Sequence, residues 1–196
     1  HEFFSQFKIK ELVNDIKDEN IIKKLVNNLK NYKCESILQE TALAYLVHNY
    51  PDMDEIVNAF KLFNLIDVNE DGKITSEILY RGICKYCEGN SKEEILNIFE
   101  KLDSDHNNYI GYEEFVRAAV DKSIFLDDNV LKFAFKYFDK DDSGEITYES
   151  ITSIFKEHIK SERIDESLKK IMDQVDKDKD GKIGYDDFCE LMKRIL

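Results

Sequence analysis

The stretch "DSDHNNYIGYEE", residues 103–114, decides how the rest of the chain is read. Oxygen-bearing side chains alternate at Asp103, Asp105 and Asn107. A backbone carbonyl follows at Tyr109, Gly111 leaves room for water, and Glu114 closes the twelve. Such a run winds short carboxylates and an amide around one point, then returns a longer carboxylate to it. Six to eight oxygens at about 2.3–2.6 Å are what a hard divalent cation takes. The sixth residue must enter the left-handed region, and Asn108 does so more easily than most residues with a side chain.

The pattern repeats. "DVNEDGKIT" starts at Asp67, "DKDDSGEIT" at Asp139 and "DKDKDGKIG" at Asp176, so the four starts are spaced 36, 36 and 37 residues apart. Every copy carries oxygen donors at positions 1, 3 and 5 and isoleucine at position 8. Helical stripes precede each loop: Ile56, Phe60 and Phe63; Ile95, Ile98, Phe99 and Leu102; Leu131, Phe135 and Phe138; Leu168, Ile171, Met172 and Val175. Asp52 with Glu55 and Ser91 with Glu94 have capping-box spacing. A helix, a twelve-residue loop and a helix, used four times, is the EF-hand. The expected fold is all-α and calmodulin-like, two lobes of paired EF-hands preceded by amphipathic helices. Its divisions are residues 1–50, 51–122 and 123–196, with pairing through the eighth residues, Ile74 with Ile110 and Ile146 with Ile183.

The four loops differ as calcium cages. Loop two offers Asp103, Asp105, Asn107, the Tyr109 carbonyl and Glu114, and is expected to bind. Loop four offers Asp176, Asp178, Asp180, the Lys182 carbonyl and Asp187. Aspartate at position 12 is one methylene shorter than glutamate, so calcium is expected with magnesium as a better competitor. Loop three has Asp139, Asp141, Ser143 and the Glu145 carbonyl, but Ser150 stands at position 12, where a hydroxyl cannot replace two charged oxygens. Loop one has Asp67, Asn69, Asp71 and the Lys73 carbonyl, and Ile78 at position 12 gives no oxygen at all. Glu77, at position 11, could help only if the exiting helix rotated. Loops one and three are expected to be weak or structural, each completing the lobe of a competent partner.

Composition excludes several classes. Forty-two per cent of the 196 residues are apolar and 35% are charged, which suits a globular chain. One proline and seven glycines leave little room for a turn-dense sheet protein. The net charge of −13 argues against nucleic acid as a partner and favours bound cations or a basic partner. No apolar run reaches the length of a membrane span. Four scattered cysteines do not make a disulfide scaffold, so a reducing, cytoplasmic setting is expected. Cys84 and Cys87 form a lone CxxC without the second pair a zinc site needs. His1, His48, His106 and His158 accompany no obvious nucleophile and there is no phosphate-cradling glycine loop, so enzymatic activity within the chain is not expected.

Before the first loop, "DENIIKKLVNNLKNYK" places Ile22, Leu25, Val26 and Leu29 on one helical face among lysines. "SILQETALAYLVHNYPD" then places Leu38, Ala42, Tyr45 and Leu46 at helical spacing. Two readings fit these stretches: helices docking in calcium-operated grooves, or ordinary packing helices. Residues 27–67, "NNLKNYKCESILQETALAYLVHNYPDMDEIVNAFKLFNLID", resemble the junction of calcium-dependent protein kinases leading into their first EF-hand. The resemblance runs without gaps from about residue 24 to "DDFCELMKRIL" at 196, and "HEFF" at the start is similar to the tetrapeptide ending many kinase catalytic domains. The chain departs from the family in "SILQET", where lysines are usual, and in its two loops without a position-12 carboxylate.

The resemblance implies the regulatory region of a calcium-dependent serine/threonine protein kinase, with its own kinase domain and junction helix as intramolecular partners and protein substrates reached through the parent kinase. Leu25, Leu29, Tyr32, Leu38, Ala42 and Leu46 would be the groove anchors, with Lys23, Lys24 and Lys30 as basic contacts. Calcium would relieve autoinhibition. The chain starts at His1 without an initiator methionine and reads as a piece of a longer polypeptide. Its lysine-, asparagine- and isoleucine-rich wording is similar to proteins of apicomplexan genomes. The alternative is a free-standing calmodulin-like sensor or buffer.

Overall fold

Apolar side chains three and four residues apart fold as helices when one face can be buried. The computed structural model describes residues 18–34, 36–50, 53–158, 164–176 and 179–194. "HEFF" and Asp52 therefore lie outside the described residues. Ten α-helices are described: α1 Glu19–Lys30, α2 Ile37–Asn49, α3 Asp54–Ile66, α4 Ser76–Tyr86, α5 Lys92–Leu102, α6 Tyr112–Ala119, α7 Asp128–Phe138, α8 Tyr148–His158, α9 Ile164–Val175 and α10 Tyr185–Lys193. A 3-10 turn spans Lys122–Leu126, and β1 Glu145–Thr147 and β2 Lys182–Gly184 complete the order.

The chain divides into two compact units. The first holds described residues 18–32 and Val47–Asp121, and the second holds Lys33–Leu46 and described residues from Lys122 onward. Each contains two EF-hands; α1 belongs to the first unit, and α2 as far as Leu46 to the second. In the first, Ile74 and Ile110 exchange backbone hydrogen bonds of 3.0 and 2.8 Å in an antiparallel bridge. In the second, β1 and β2 pair antiparallel with Ile146 opposite Ile183. All four isoleucines are fully buried.

The two units repeat one aromatic design. Phe63, at the end of α3, meets Tyr112 and Phe115 of α6 edge-on, at centroid distances of 5.7 and 5.5 Å. Phe135 of α7 meets Tyr185 and Phe188 of α10 in the same way, at 5.4 and 5.6 Å. These rings occupy matching positions of paired hands, so the entering helix of one is keyed to the exiting helix of the other. Edge-on pairs add about 0.5–1.5 kcal/mol each beyond their buried area. Close approach is needed once more at Gly82 on α4, where any Cβ would lie 2.8 Å from the Ile66 side chain of α3.

The preceding helices are built into these cores. On α1, Asp18 caps the first turn, and Ile22, Leu25, Val26 and Leu29 are buried against α3, α4 and α6. Each such side chain contributes roughly 1.5–3 kcal/mol by burial. Asn28 donates its amide to the Ala119 carbonyl, one of the orphan acceptors at the end of α6, at 2.8 Å. On α2, Leu38, Ala42, Leu43 and Leu46 are fully buried, and Ser36 and Gln39 bond reciprocally at its start. Gln39 is itself buried and donates to the Leu191 carbonyl at the end of α10, at 2.6 Å. Tyr45 stacks on Tyr137 and Phe133 of α7. Ser91 and Glu94 form the capping box their spacing suggests, whereas α3 starts after Met53, which lends no side-chain cap.

Candidate metal centre

All four loops fold alike around their first aspartate. Asp67, Asp103, Asp139 and Asp176 end their helices and are buried. One oxygen of each accepts the backbone N–H of position 6: Gly72 at 2.8 Å, Asn108 at 3.0 Å, Gly144 at 2.9 Å and Gly181 at 2.8 Å. Position 6 is left-handed in every loop, with φ of 75° at Gly72, 68° at Asn108, 84° at Gly144 and 85° at Gly181. Position 4 is left-handed as well, at Glu70, His106, Asp142 and Lys179, with φ of 53–58°. Two left-handed residues per loop turn successive N–H groups inward and set the aspartate.

Loop two brings its carboxylates together. Oxygens of Asp103, Asp105 and Glu114 lie within 4.8 Å of one another, the only such trio among the described residues. Asp105 accepts from the Asn107 N–H at 3.1 Å, and Asn107 Oδ1 accepts from the Tyr109 N–H at 3.0 Å. Glu114 sits in the first turn of α6. Its Oε2 accepts from the Gly111 N–H at 2.9 Å, and its Oε1 accepts from the Ser104 N–H and hydroxyl, both at 3.0 Å. Burial pushes the Glu114 carboxyl above the ordinary glutamate range, and the Gly111 and Ser104 donors pull against that shift.

In loop four, Asp176 is buried and Asp180 accepts from the Lys182 N–H at 2.8 Å. Asp187 lies in the first turn of α10, with Oδ2 3.9 Å from where a Cβ on Gly184 would stand. Glu114 Oε2 is 3.8 Å from the same point on Gly111. The two position-12 carboxylates thus approach the glycine before their helices to similar distances. Asp178 lies outside the described residues. Lys182 reaches across the strand pair to Glu145, and its counterpart Lys73 lies over the Tyr109 ring at 4.7 Å.

The other loops keep the turn without the closing oxygens. In loop three, Ser150 accepts from the Thr147 N–H at 3.1 Å and donates to the Thr147 carbonyl at 3.0 Å, so its hydroxyl serves the helix start. Asp139 and Asp141 are bridged by Ser143, whose N–H bonds to Asp139 at 3.0 Å and to Asp141 at 3.3 Å. In loop one, Ile78 is half-buried at the closing position. Glu77 is paired with Lys92 at 3.2 Å and Arg81 at 2.9 Å, contacts that keep its carboxyl below the usual range. Asn69 and Asp71 are exposed, and Asp71 accepts from the Lys73 N–H at 2.9 Å.

The donor sets fit a divalent cation. A buried carboxylate oxygen without a donor is costly, and Asp67 Oδ1 is one, in a residue only 4% exposed. In loop two three carboxylates converge as calcium coordination requires. Sequence reasoning missed the left-handed fourth residues, which carry no glycine signal, and the role of Ser104 as a partner of Glu114. It also left open where the leading helices go. The anchors Leu25, Leu29 and Tyr32 are buried in the first unit and Leu38, Ala42 and Leu46 in the second. Among the described residues no disulfide joins Cys34, Cys84, Cys87 and Cys189. Among the described residues no helix is long and apolar enough to cross a membrane.

The EF-hand domain-pair family matches residues 56–120 and 128–193. Among curated proteins, calcium-dependent protein kinase 19 of Oryza sativa subsp. japonica is 32% identical over 176 residues, which is 90% of this chain and 32% of that protein. Calcium-dependent protein kinase 33 of Arabidopsis thaliana is 33% identical over 177 residues, 90% of this chain and 33% of that protein. Calcium-dependent protein kinase 9 of the same plant is 31% identical over 176 residues, 90% and 32% respectively. The chain spans about a third of the length of the curated relatives it matches. With four helix–loop–helix units in two pairs, it belongs to the EF-hand family and is homologous to calcium-dependent protein kinases.

Proposed function

We propose that the chain is the calcium-sensing regulatory region of a serine/threonine protein kinase. Calcium, when bound, supplies a divalent positive charge for the loop carboxylates to share. In loop two Asp103, Asp105, Asn107, the Tyr109 carbonyl and Glu114 would hold it. In loop four Asp176, Asp178, Asp180, the Lys182 carbonyl and Asp187 would do so, with magnesium a stronger competitor because Asp187 is short. Loops one and three act as braces, joined to their partners through Ile74–Ile110 and Ile146–Ile183. Cytoplasmic calcium would be read by the competent loops and passed to the leading helices, whose anchors lie in the same units. Relief of autoinhibition of a kinase domain in the same polypeptide follows from that coupling.

The observation that carries this reading is the convergence of Asp103, Asp105 and Glu114 in loop two. The kinase similarity supports the regulatory role. Calorimetric titration should give about two calcium sites of sensor strength, and Glu114→Gln should remove one of them. Four equal sites, or unchanged stoichiometry in the variant, would refute the assignment. In the parent polypeptide, phosphotransfer should rise with calcium, and Glu114→Gln with Asp187→Asn should abolish that rise.

A further inference from the structure

Arg117 is buried, with 6% of its surface exposed, three residues beyond Glu114 on α6. A buried guanidinium needs acceptors. Its Nε donates to the hydroxyl of Tyr32 at 3.2 Å, and its Nη2 donates to the Ser104 hydroxyl at 3.2 Å. Ser104 in turn donates its hydroxyl to Glu114 Oε1 at 3.0 Å. Tyr32, just past the end of α1, is also 6% exposed. A continuous polar chain therefore runs Tyr32–Arg117–Ser104–Glu114, from the leading helix to the closing carboxylate of loop two.

Among the described residues this polar chain is particular to the second hand. Position 2 holds Val68 in loop one and Lys140 in loop three, neither able to act as Ser104 does. Position 15 of the first hand is also an arginine, but Arg81 is exposed and pairs with Glu77 on its own helix.

A carboxylate oxygen has two lone pairs. The N–H and hydroxyl of Ser104 occupy both at Glu114 Oε1. Two-oxygen closure on a cation calls on the same oxygen, so the Ser104 donors and the cation compete for it. Arg117 strengthens the Ser104 hydroxyl as a donor by polarising it, and Tyr32 orients Arg117. We propose that Tyr32 and Arg117 are positioning residues that hold Glu114 against metal closure, so that docking of the α1 end at Tyr32 and calcium binding at loop two oppose each other. Linkage makes the effect reciprocal: calcium at loop two loosens the Tyr32–Arg117 contact by the factor by which that contact weakens calcium binding. The inference rests on loop two being a calcium site.

The test is a double-mutant cycle of Tyr32→Phe and Ser104→Ala, read by calcium calorimetry, with Glu114→Gln marking the loop-two component. Ser104→Ala is expected to tighten loop two about three- to tenfold, the scale of one lost competing hydrogen bond. Tyr32→Phe is expected to tighten it less, and to add nothing in the Ser104→Ala background. Weakened or unchanged affinity in Tyr32→Phe, or additive effects, would overturn the proposal. If Glu114→Gln leaves binding intact, the calcium-site assignment itself fails, a separate outcome. In the unaltered protein, the Arg117 Nε–H resonance should shift as calcium fills loop two. A resonance that stays fixed while calcium binds there would also overturn it.

Discussion

At the scale of single residues, the four hands are separated by what stands at position 12 and by what that group touches. Glu114 brings a carboxylate oxygen within 4.8 Å of oxygens of Asp103 and Asp105. Ser150 is committed to Thr147, and Ile78 has nothing to give. Glu77 is tied to Arg81 and Lys92 instead of turning inward. The sign of the Glu114 shift has a consequence for pH. Its carboxyl is raised by burial, so on acidification it takes up a proton before an ordinary glutamate does. A neutral acid cannot share charge with a cation. Calcium titrations at falling pH should therefore show loop two losing affinity from a pH above the usual glutamate range. For the protein without divalent ions the sign reverses. The folded state binds the proton more readily than the unfolded chain, so this group favours folding below its raised pKa and the advantage is lost as pH rises through it. A loop-two affinity that follows ordinary glutamate titration would contradict the burial argument.

At the scale of elements, start signals and partners together fix each helix. Ser91 and Glu94 cap α5 reciprocally, with bonds of 3.1 and 2.9 Å. Ser91→Ala should cost about 1 kcal/mol in chemical denaturation, the usual worth of such a cap. A loss near zero would mean that packing of Ile95, Ile98, Phe99 and Leu102 alone holds the first turn. The stripes before the loops are core in the structure, as their periodicity indicates, but Phe60 and Met172 are only half-buried. Spacing alone does not tell the rim of a stripe from its centre.

At the scale of the whole molecule, α1 belongs to the first unit and α2, through Leu46, to the second. Leu29 is buried in the first and Leu46 in the second. Leu29→Asp should therefore lower hydrogen-exchange protection of the Ile74 and Ile110 amides while sparing Ile146 and Ile183. Leu46→Asp should do the reverse. Each places a carboxylate in an apolar core, at a cost of about 4 kcal/mol or more in that unit. Loss of protection at both isoleucine pairs in one variant would show that the helices are not partitioned in this way. Two loops are also the number the proposed switch requires. Driving a population from about 1:99 to 99:1 takes about 5.5 kcal/mol, and two sites with a hundredfold preference supply about 2.7 kcal/mol each.

The sequence by itself determined the four-hand, all-α fold, because donor positions within twelve residues and a period near 36 are local and leave almost no other structure open. It also states which loops carry a carboxylate at position 12, since that is a property of one residue. Only the tertiary structure decided which unit receives each leading helix, that Glu77 turns away, and that Arg117 joins Tyr32 to Ser104. Those depend on contacts between residues far apart in the chain: Tyr32 and Arg117 are separated by 85 positions, and Gln39 and Leu191 by 152. An apolar stripe states that a face must be buried, and every groove of suitable size satisfies it equally until the chain has folded.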